Sequence, residues 1–316
     1  MTTVGELGEF RLIDRLAARL PLGDGVVVGI GDDTAALEPT PGHLLLATTD
    51  GQVEGVHFLR DGTPPRSLGH RVLASNLSDV AAMGGRPRWA IVALTLPDDL
   101  ELAWLEQLYD GLAALASRHR VGVVGGNVAR SPGGVVVDLT LLGEVRPERR
   151  LSRAGARPGE AVYVTGQPGE AAGGLELILR PRLRERLPVA DVDRLLRAHW
   201  EPSPRVEEGQ ALAAGGAVGA MIDVSDGLAA DLGHVLAASG VGATLDEAAL
   251  PISPALRALE AAGGRPALEL TLHGGEAYEL SFTCRAAPSV AATRIGAIEA
   301  EPGLRLRSLD GTVRAL

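Results

Sequence analysis

The sequence predicts a mixed α/β (α+β) chain folded as two domains, roughly residues 1–146 and 150–316. Three observations carry this. The 316 residues are 46% hydrophobic, enough for a buried core in each half. Short apolar runs alternate with helix-period stretches along the whole length. A charged, proline-containing stretch, RPERRLSRAGARPG (146–159), interrupts that alternation once, and the pattern then begins again.

Residues 5–20 read as an amphipathic helix with Phe10, Ile13, Leu16, Ala17 and Leu20 on one face and Pro21 closing it. VVVGI (26–30) and HLLLATT (43–49) read as strands. Residues 66–83 read as a helix with Leu73, Leu77 and Val80 inward. A strand over 88–97, a helix over 98–118 and strands over 121–124 and 134–145 complete the first half. The second half reads as a strand at 161–165, a helix near 170–180, an arginine-rich segment at 181–199 and a helix near 204–214. A strand at 217–223, a helix at 227–238 and strands near 241–246, 267–272 and 279–284 follow.

The formal charge of −10 argues against a nucleic-acid surface, which needs clustered positive charge. No apolar run is long enough to span a bilayer, and the acidic, amphipathic start does not read as a signal peptide. The single Cys284 excludes an internal disulfide framework and a thiolate zinc site, so a cytoplasmic enzyme is expected. All 30 basic residues are arginine. There is no lysine for a Schiff base, a general base or a Walker A loop, so phosphate charge must be met by arginine, backbone N–H groups or metal.

Six short motifs place acids or glycines at strand ends and helix starts. GIGDDTAAL (29–37) holds Asp32 and Asp33 after a glycine turn. TTDGQVEGVHF (48–58) offers two hydroxyls and a carboxylate, a donor set suited to magnesium, and also His57. NLSDVAAMG (76–84) sets Asp79 among small residues. VVGGNVARSPGG (123–134) reads as a glycine turn whose N–H groups can meet phosphate. MIDVSDGLAADL (221–232) puts Asp223, Ser225 and Asp226 at a helix start, a good place for metal and phosphate. HGGEAYEL (273–280) presents Glu276 at the head of a strand. Each alone reads equally as a cap or a turn. Together they suggest one pooled site fed by several elements.

In this order and spacing the motifs, with S-R-x-G-A-x-P-G at 152–159, resemble the thiamine-monophosphate kinase family of the aminoimidazole ribonucleotide synthetase superfamily. The resemblance runs from about Gly8 to Phe282. It implies a two-domain fold in which the N-terminal domain pairs its sheet across a homodimer and binds ATP, with a C-terminal α+β domain. It implies several Mg2+ ions, ATP as co-substrate and thiamine monophosphate as acceptor. By matching motif, the metal ligands are Asp32, Thr48, Thr49, Asp50, Asp79, Asn127, Asp223 and Asp226. ATP contacts fall to Tyr109, Gly125, Gly126, Arg153 and Ser225, and acceptor contacts to His57 and Glu276. No catalytic base is implied, because a phosphate acceptor is already mostly dianionic near neutral pH.

The chain departs from the family pattern in three places. Asn127 stands where an aspartate is usual, Ala277 stands where a carboxylate is common, and the last residues, SLDGTVRAL, hold no aromatic. These departures keep two alternatives open: a weakly active nucleotide- or thiamine-phosphate-binding paralogue, and another ATP-using enzyme of the superfamily.

Overall fold

The computed structural model describes residues 2–316 and divides into two compact units. One comprises Met1–Val80 with Gly85–Pro147, and the other Ala81–Gly84 with Glu148–Leu316.

The first unit begins with α1 (Val4–Leu7) and α2 (Glu9–Ala17), where one helix over 5–20 is expected. Gly8, at φ 81°, breaks it. Of the expected apolar face only Leu16 is buried. Leu12 joins it, and Phe10 is 80% exposed. A two-stranded ribbon, β1 (Val26–Val28) and β2 (Ala36–Leu37), flanks the Asp32 turn. Then come β3 (Leu44–Val53), α3 (Pro65–Ala82), β4 (Arg86–Leu96), α4 (Leu102–His119), β5 (Gly122–Arg130) and β6 (Val136–Val145).

The four long strands form one sheet in the order β3-β6-β4-β5. Only the β4–β5 pair is parallel. Burial alternates along β4: Ala90, Val92, Leu94 and Leu96 are inside, whereas Ile91 is 39% exposed. That is the period of a sheet covered on one face. The covered face carries Thr48 and Gln52, which bond to α3. The other face presents Leu45 and Ile91.

Helices α3 and α4 touch backbone to backbone. A Cβ at Gly69 would stand 1.8 Å from the Leu108 carbonyl oxygen, and one at Gly111 would stand 1.8 Å from that of Arg66. At the end of β6, Glu144 accepts from Thr40 N at 2.6 Å, Thr40 Oγ1 at 2.7 Å and the Arg88 guanidinium. Both members of that ion pair are buried.

The second unit contains β7 (Ala161–Val164), α5 (Glu170–Leu179), α6 (Val189–Trp200), α7 (Val206–Gly215), β8 (Val218–Val224), α8 (Leu228–Ser239), β9 (Gly242–Asp246), α9 (Pro254–Ala261), α10 (Ala267–His273), β10 (Glu279–Cys284), β11 (Thr293–Glu299), β12 (Gly303–Arg307) and β13 (Val313–Ala315). Seven strands form one sheet, ordered β13-β12-β9-β11-β7-β10-β8. Its core joins Leu228, Leu232 and Val235 of α8 to Val162, Ile222, Ala243 and Ile298 of the strands. A second core binds α5, α6, α9 and α10 through Leu177, Leu195, Leu256 and Leu270. The sole cysteine, Cys284, is buried at the end of β10.

One expected strand is a helix. Residues 267–272 (ALELTL) alternate like a strand, but α10 buries Ala267, Leu270 and Thr271, the i, i+3, i+4 positions of a helix opened by Pro266. The arginine-rich 181–199 segment is a 3-10 turn (Pro181–Arg186) followed by most of α6.

Candidate active site

The expected site residues divide between the two units, and only some of those in each are brought together. In the first unit, β3 directs Thr48, Asp50 and Gln52 to the covered face by strand period. Thr48 Oγ1 donates to Asp79 Oδ2 of α3 at 2.5 Å, and Arg71 Nη2 of the same helix donates to Gln52 Oε1 at 2.8 Å. These bonds fix the strand against the helix at both ends and set Asp50 between them. Thr49 turns to the other face, where its Oγ1 donates to the Leu139 carbonyl at 3.1 Å. Asp32 lies on the exposed β1–β2 turn, its Oδ1 accepting from Asp33 N at 2.8 Å. His57 is exposed, and its Nδ1 accepts from Val53 N at 3.1 Å. That bond fixes a neutral ring as the Nε2–H tautomer.

The glycine turn expected at Gly125–Gly126 is strand. Both residues and Asn127 lie within β5 and pair with Ile91, Val92 and Ala93 of β4 after a bulge at Ala90/Ile91. The run continues because β4 lies close alongside: a Cβ at Gly126 would stand 2.0 Å from the Val92 carbonyl oxygen. Register places Asn127 on the face of Ile91, opposite to that of Asp50. The two belong to β5 and β3, the two edge strands of the sheet. Three strand spacings of about 4.8 Å separate them, roughly 14 Å. Tyr109 is packed in the core of the unit, 5% exposed, and burial pushes its phenol above the usual range.

In the second unit, Asp223 is buried on β8, paired with Leu280, and Asp226 is exposed one turn later. Between them the chain bends around a residue that motif reasoning missed. Oδ2 of Asp231 accepts from three successive amides, Ser225 N at 3.0 Å, Asp226 N at 3.0 Å and Gly227 N at 3.1 Å. Burial raises the Asp231 carboxyl above the ordinary carboxylate range. The charge of Asp226 adds to this, and the three N–H bonds offset it in part. The turn leading into the helix therefore gives its amides to the protein's own carboxylate.

The Glu276 loop lies on this turn. Glu276 N donates to Ser225 O at 2.7 Å, and Tyr278 N donates to Val224 O at 2.8 Å. Glu276 and Tyr278 hold φ values of 64° and 51°, left-handed conformations that non-glycine residues seldom adopt. Two further residues absent from the motif reading anchor the loop's exit. Glu279 accepts from Arg205 Nε at 2.6 Å and Nη2 at 2.7 Å, a bidentate pair, and from Thr165 Oγ1 at 2.5 Å. The carboxylate raises the Arg205 guanidinium above its usual value. A cavity of about 740 Å3 opens beside them, lined by Ala277, Glu279, Arg205, Arg194 and Arg197 among others. Arg153 sits on an exposed loop beside β8, where Met221 N donates to Ser152 O at 2.9 Å.

Among the described residues no three His, Cys, Asp or Glu side chains converge into a metal cage. The donors stand in smaller sets made of oxygen alone: Thr48 with Asp79, and Asp223 at the end of β8 with Ser225 and Asp226 on the turn that follows. Magnesium fits such sets, because it takes one or two protein carboxylates and completes its octahedron with water and substrate phosphates.

The family profile for AIR synthase related protein, N-terminal domain, matches residues 31–145, and that for the C-terminal domain matches 157–307. The thiamine-monophosphate kinase of Escherichia coli strain K12 is 44% identical over 281 residues, spanning 87% of this chain and 82% of the relative. The chain belongs to the thiamine-monophosphate kinase family. The crystal structure of the family member from Stenotrophomonas maltophilia K279a aligns at a TM-score of 0.84 and 39% identity, covering 96% of this chain and 97% of that one. A further solved relative, AaThiL complexed with AMPPCP and TMP, aligns at a TM-score of 0.78 and 36% identity, covering 99% of this chain and 96% of that one.

Proposed function

We propose that the chain transfers the γ-phosphoryl group of ATP directly, in line, to the phosphate of thiamine monophosphate, giving thiamine diphosphate and ADP. The observation that carries this reading is the end of β8 and the turn after it, where Asp223, Ser225 and Asp226 set two carboxylates and a hydroxyl within four residues in a member of this family. The relative solved with AMPPCP and TMP supports the choice of both substrates.

The reaction brings two polyanions together, and the protein's task is positioning and charge compensation. Magnesium, when bound, supplies Lewis-acid and electrostatic stabilisation of the transferring phosphoryl group. Asp32, Thr48, Thr49, Asp50, Asp79, Asn127, Asp223 and Asp226 are the residues that would hold it. The Gly125–Gly126 backbone, Arg153, Ser225 and Tyr109 are assigned to the nucleotide. His57 and Glu276 are assigned to the acceptor. Tyr109 packs in the core of the first unit, away from solvent.

The homodimer belongs to the same proposal. Asp50 and Asn127 lie on opposite edges of one sheet, so a metal site using both must take one of them from a second copy. Pairing β5 of one protomer with β3 of its partner brings these two edges together and removes both as exposed edges. The exposed Leu45 and Ile91 would then face the interior of the joined sheets. With no lysine in the chain, metal carries most of the phosphate neutralisation, in the cytoplasm where ATP and magnesium are abundant.

The test is incubation of the purified protein with magnesium, ATP and thiamine monophosphate, with separation of the products. Thiamine diphosphate and ADP in equal amounts are expected. ATP binding without turnover would replace this reading with the paralogue that only binds, the alternative that Asn127 and Ala277 favour.

A further inference from the structure

We infer that Asp231 is a positioning residue for the phosphoryl-transfer site, holding the turn that aims Ser225 and Asp226 at the metal. The inference rests on the metal reading above.

Three consecutive backbone N–H groups at a helix start form a concave nest that ordinarily attracts a phosphate or another anion. Here one oxygen of Asp231 takes all three, at 3.0, 3.0 and 3.1 Å. The side chain is 2% exposed and comes from the first turn of α8, so its own backbone is fixed by the helix it caps. A single oxygen shared by three amides fixes the orientation of three successive peptide planes. Those planes run from Val224 to Gly227 and carry Ser225 and Asp226.

Two consequences follow for the chemistry. The nest is closed to substrate phosphate, so this turn serves phosphate through cations held by its carboxylates rather than through these three N–H groups. The turn is also rigid before substrate arrives, which spares the ordering cost when cation and nucleotide bind. The Glu276 loop shares in this, because Glu276 N donates to the Ser225 carbonyl of the same turn at 2.7 Å. One buried carboxylate thus fixes both the metal turn and the proposed acceptor loop.

The experiment titrates Mn2+ alone into the full-length protein by paramagnetic resonance and follows amide exchange over residues 222–228. Asp231→Ala is expected to remain helical, to weaken Mn2+ binding at least about tenfold and to accelerate exchange of the three amides. Asp231→Asn keeps one oxygen in place and is expected to stay within about threefold of wild type with slow exchange. A folded alanine variant with wild-type Mn2+ affinity would overturn the inference. If alanine abolishes folding, Asp231→Glu decides, since its displaced oxygen is expected to weaken Mn2+ in a folded protein and unchanged affinity refutes the role. Asp226→Asn runs in parallel. If it binds Mn2+ like wild type, the metal reading itself fails; if it alone is weakened, only the role of Asp231 fails.

Discussion

The hydroxyl of Ser239, at the end of α8, holds the Arg153 loop. It donates to the Arg153 carbonyl at 3.3 Å and accepts from Gly155 N and Ala156 N at 3.1 Å each. A guanidinium that meets a nucleotide phosphate loses affinity when its loop is free to wander. Ser239→Ala is expected to raise the KM for ATP about three- to tenfold with kcat nearly unchanged, as an effect confined to binding requires. A steady-state comparison at saturating magnesium checks the split.

The carboxylates are unequal partners. Asp50→Asn and Asp226→Asn each remove charge from a proposed metal ligand without changing its volume. Each is expected to cut turnover at least about a hundredfold with sedimentation unchanged. Near-normal rates in either variant would remove that residue from the metal set.

Asn127 offers the reverse experiment. It can give a cation one carbonyl oxygen without a negative charge. Asn127→Asp is expected to lower the magnesium concentration for half-maximal rate several-fold, measured by titration at fixed ATP. An unchanged magnesium dependence would place this side chain outside the metal site.

Glu144 links stability to pH. Burial pushes its carboxyl up, but the bonds from Thr40 N and Oγ1 and from Arg88 outweigh that and hold it below the ordinary 4.5. A carboxyl lowered in the folded state contributes stability in full above the unfolded value, and loses it as pH falls through the folded one. Glu144→Gln leaves Arg88 buried beside a neutral partner and is expected to cost about 3–5 kcal/mol near neutrality. In denaturant titrations the gap to wild type should narrow below pH 4.5.

The helix contact makes a separate prediction about packing. A methyl group at Gly111 has no room against the Arg66 carbonyl. Gly111→Ala is expected to lower Tm by several degrees, because parting α3 from α4 costs about 1–3 kcal/mol. Calorimetry settles it.

Much of the first unit is legible in the sequence because its elements bury one face and so display a period. α3 buries Leu73, Leu77 and Val80 as the spacing requires. The strand continuing through Gly125 and Gly126 was not legible, since glycines carry no pattern and the pairing with β4 decides. α10 was misread because a six-residue window fits two periods until Pro266 is weighed as a helix start. Strands β11, β12 and β13 and helix α9 went unread, β12 and β13 because they are short and interrupted by charged residues. The acids at strand ends were legible as chemistry. Asp231, Arg205, Glu279 and Ser239 were not, because what they bond is backbone or a distant side chain. One clue to Asp231 existed: an acid four residues after a glycine at a helix start can reach back to the amides that open it.

The burial of Cys284 has a practical side. A chain whose one thiol is shielded within β10 presents a blank surface to maleimide reagents. A cysteine introduced at Arg130 in the first unit and another at Arg197 in the second would therefore be the two sites that take up a donor and acceptor dye pair. Energy transfer between them, recorded with and without nucleotide, would give the distance between the units and its change through a catalytic cycle.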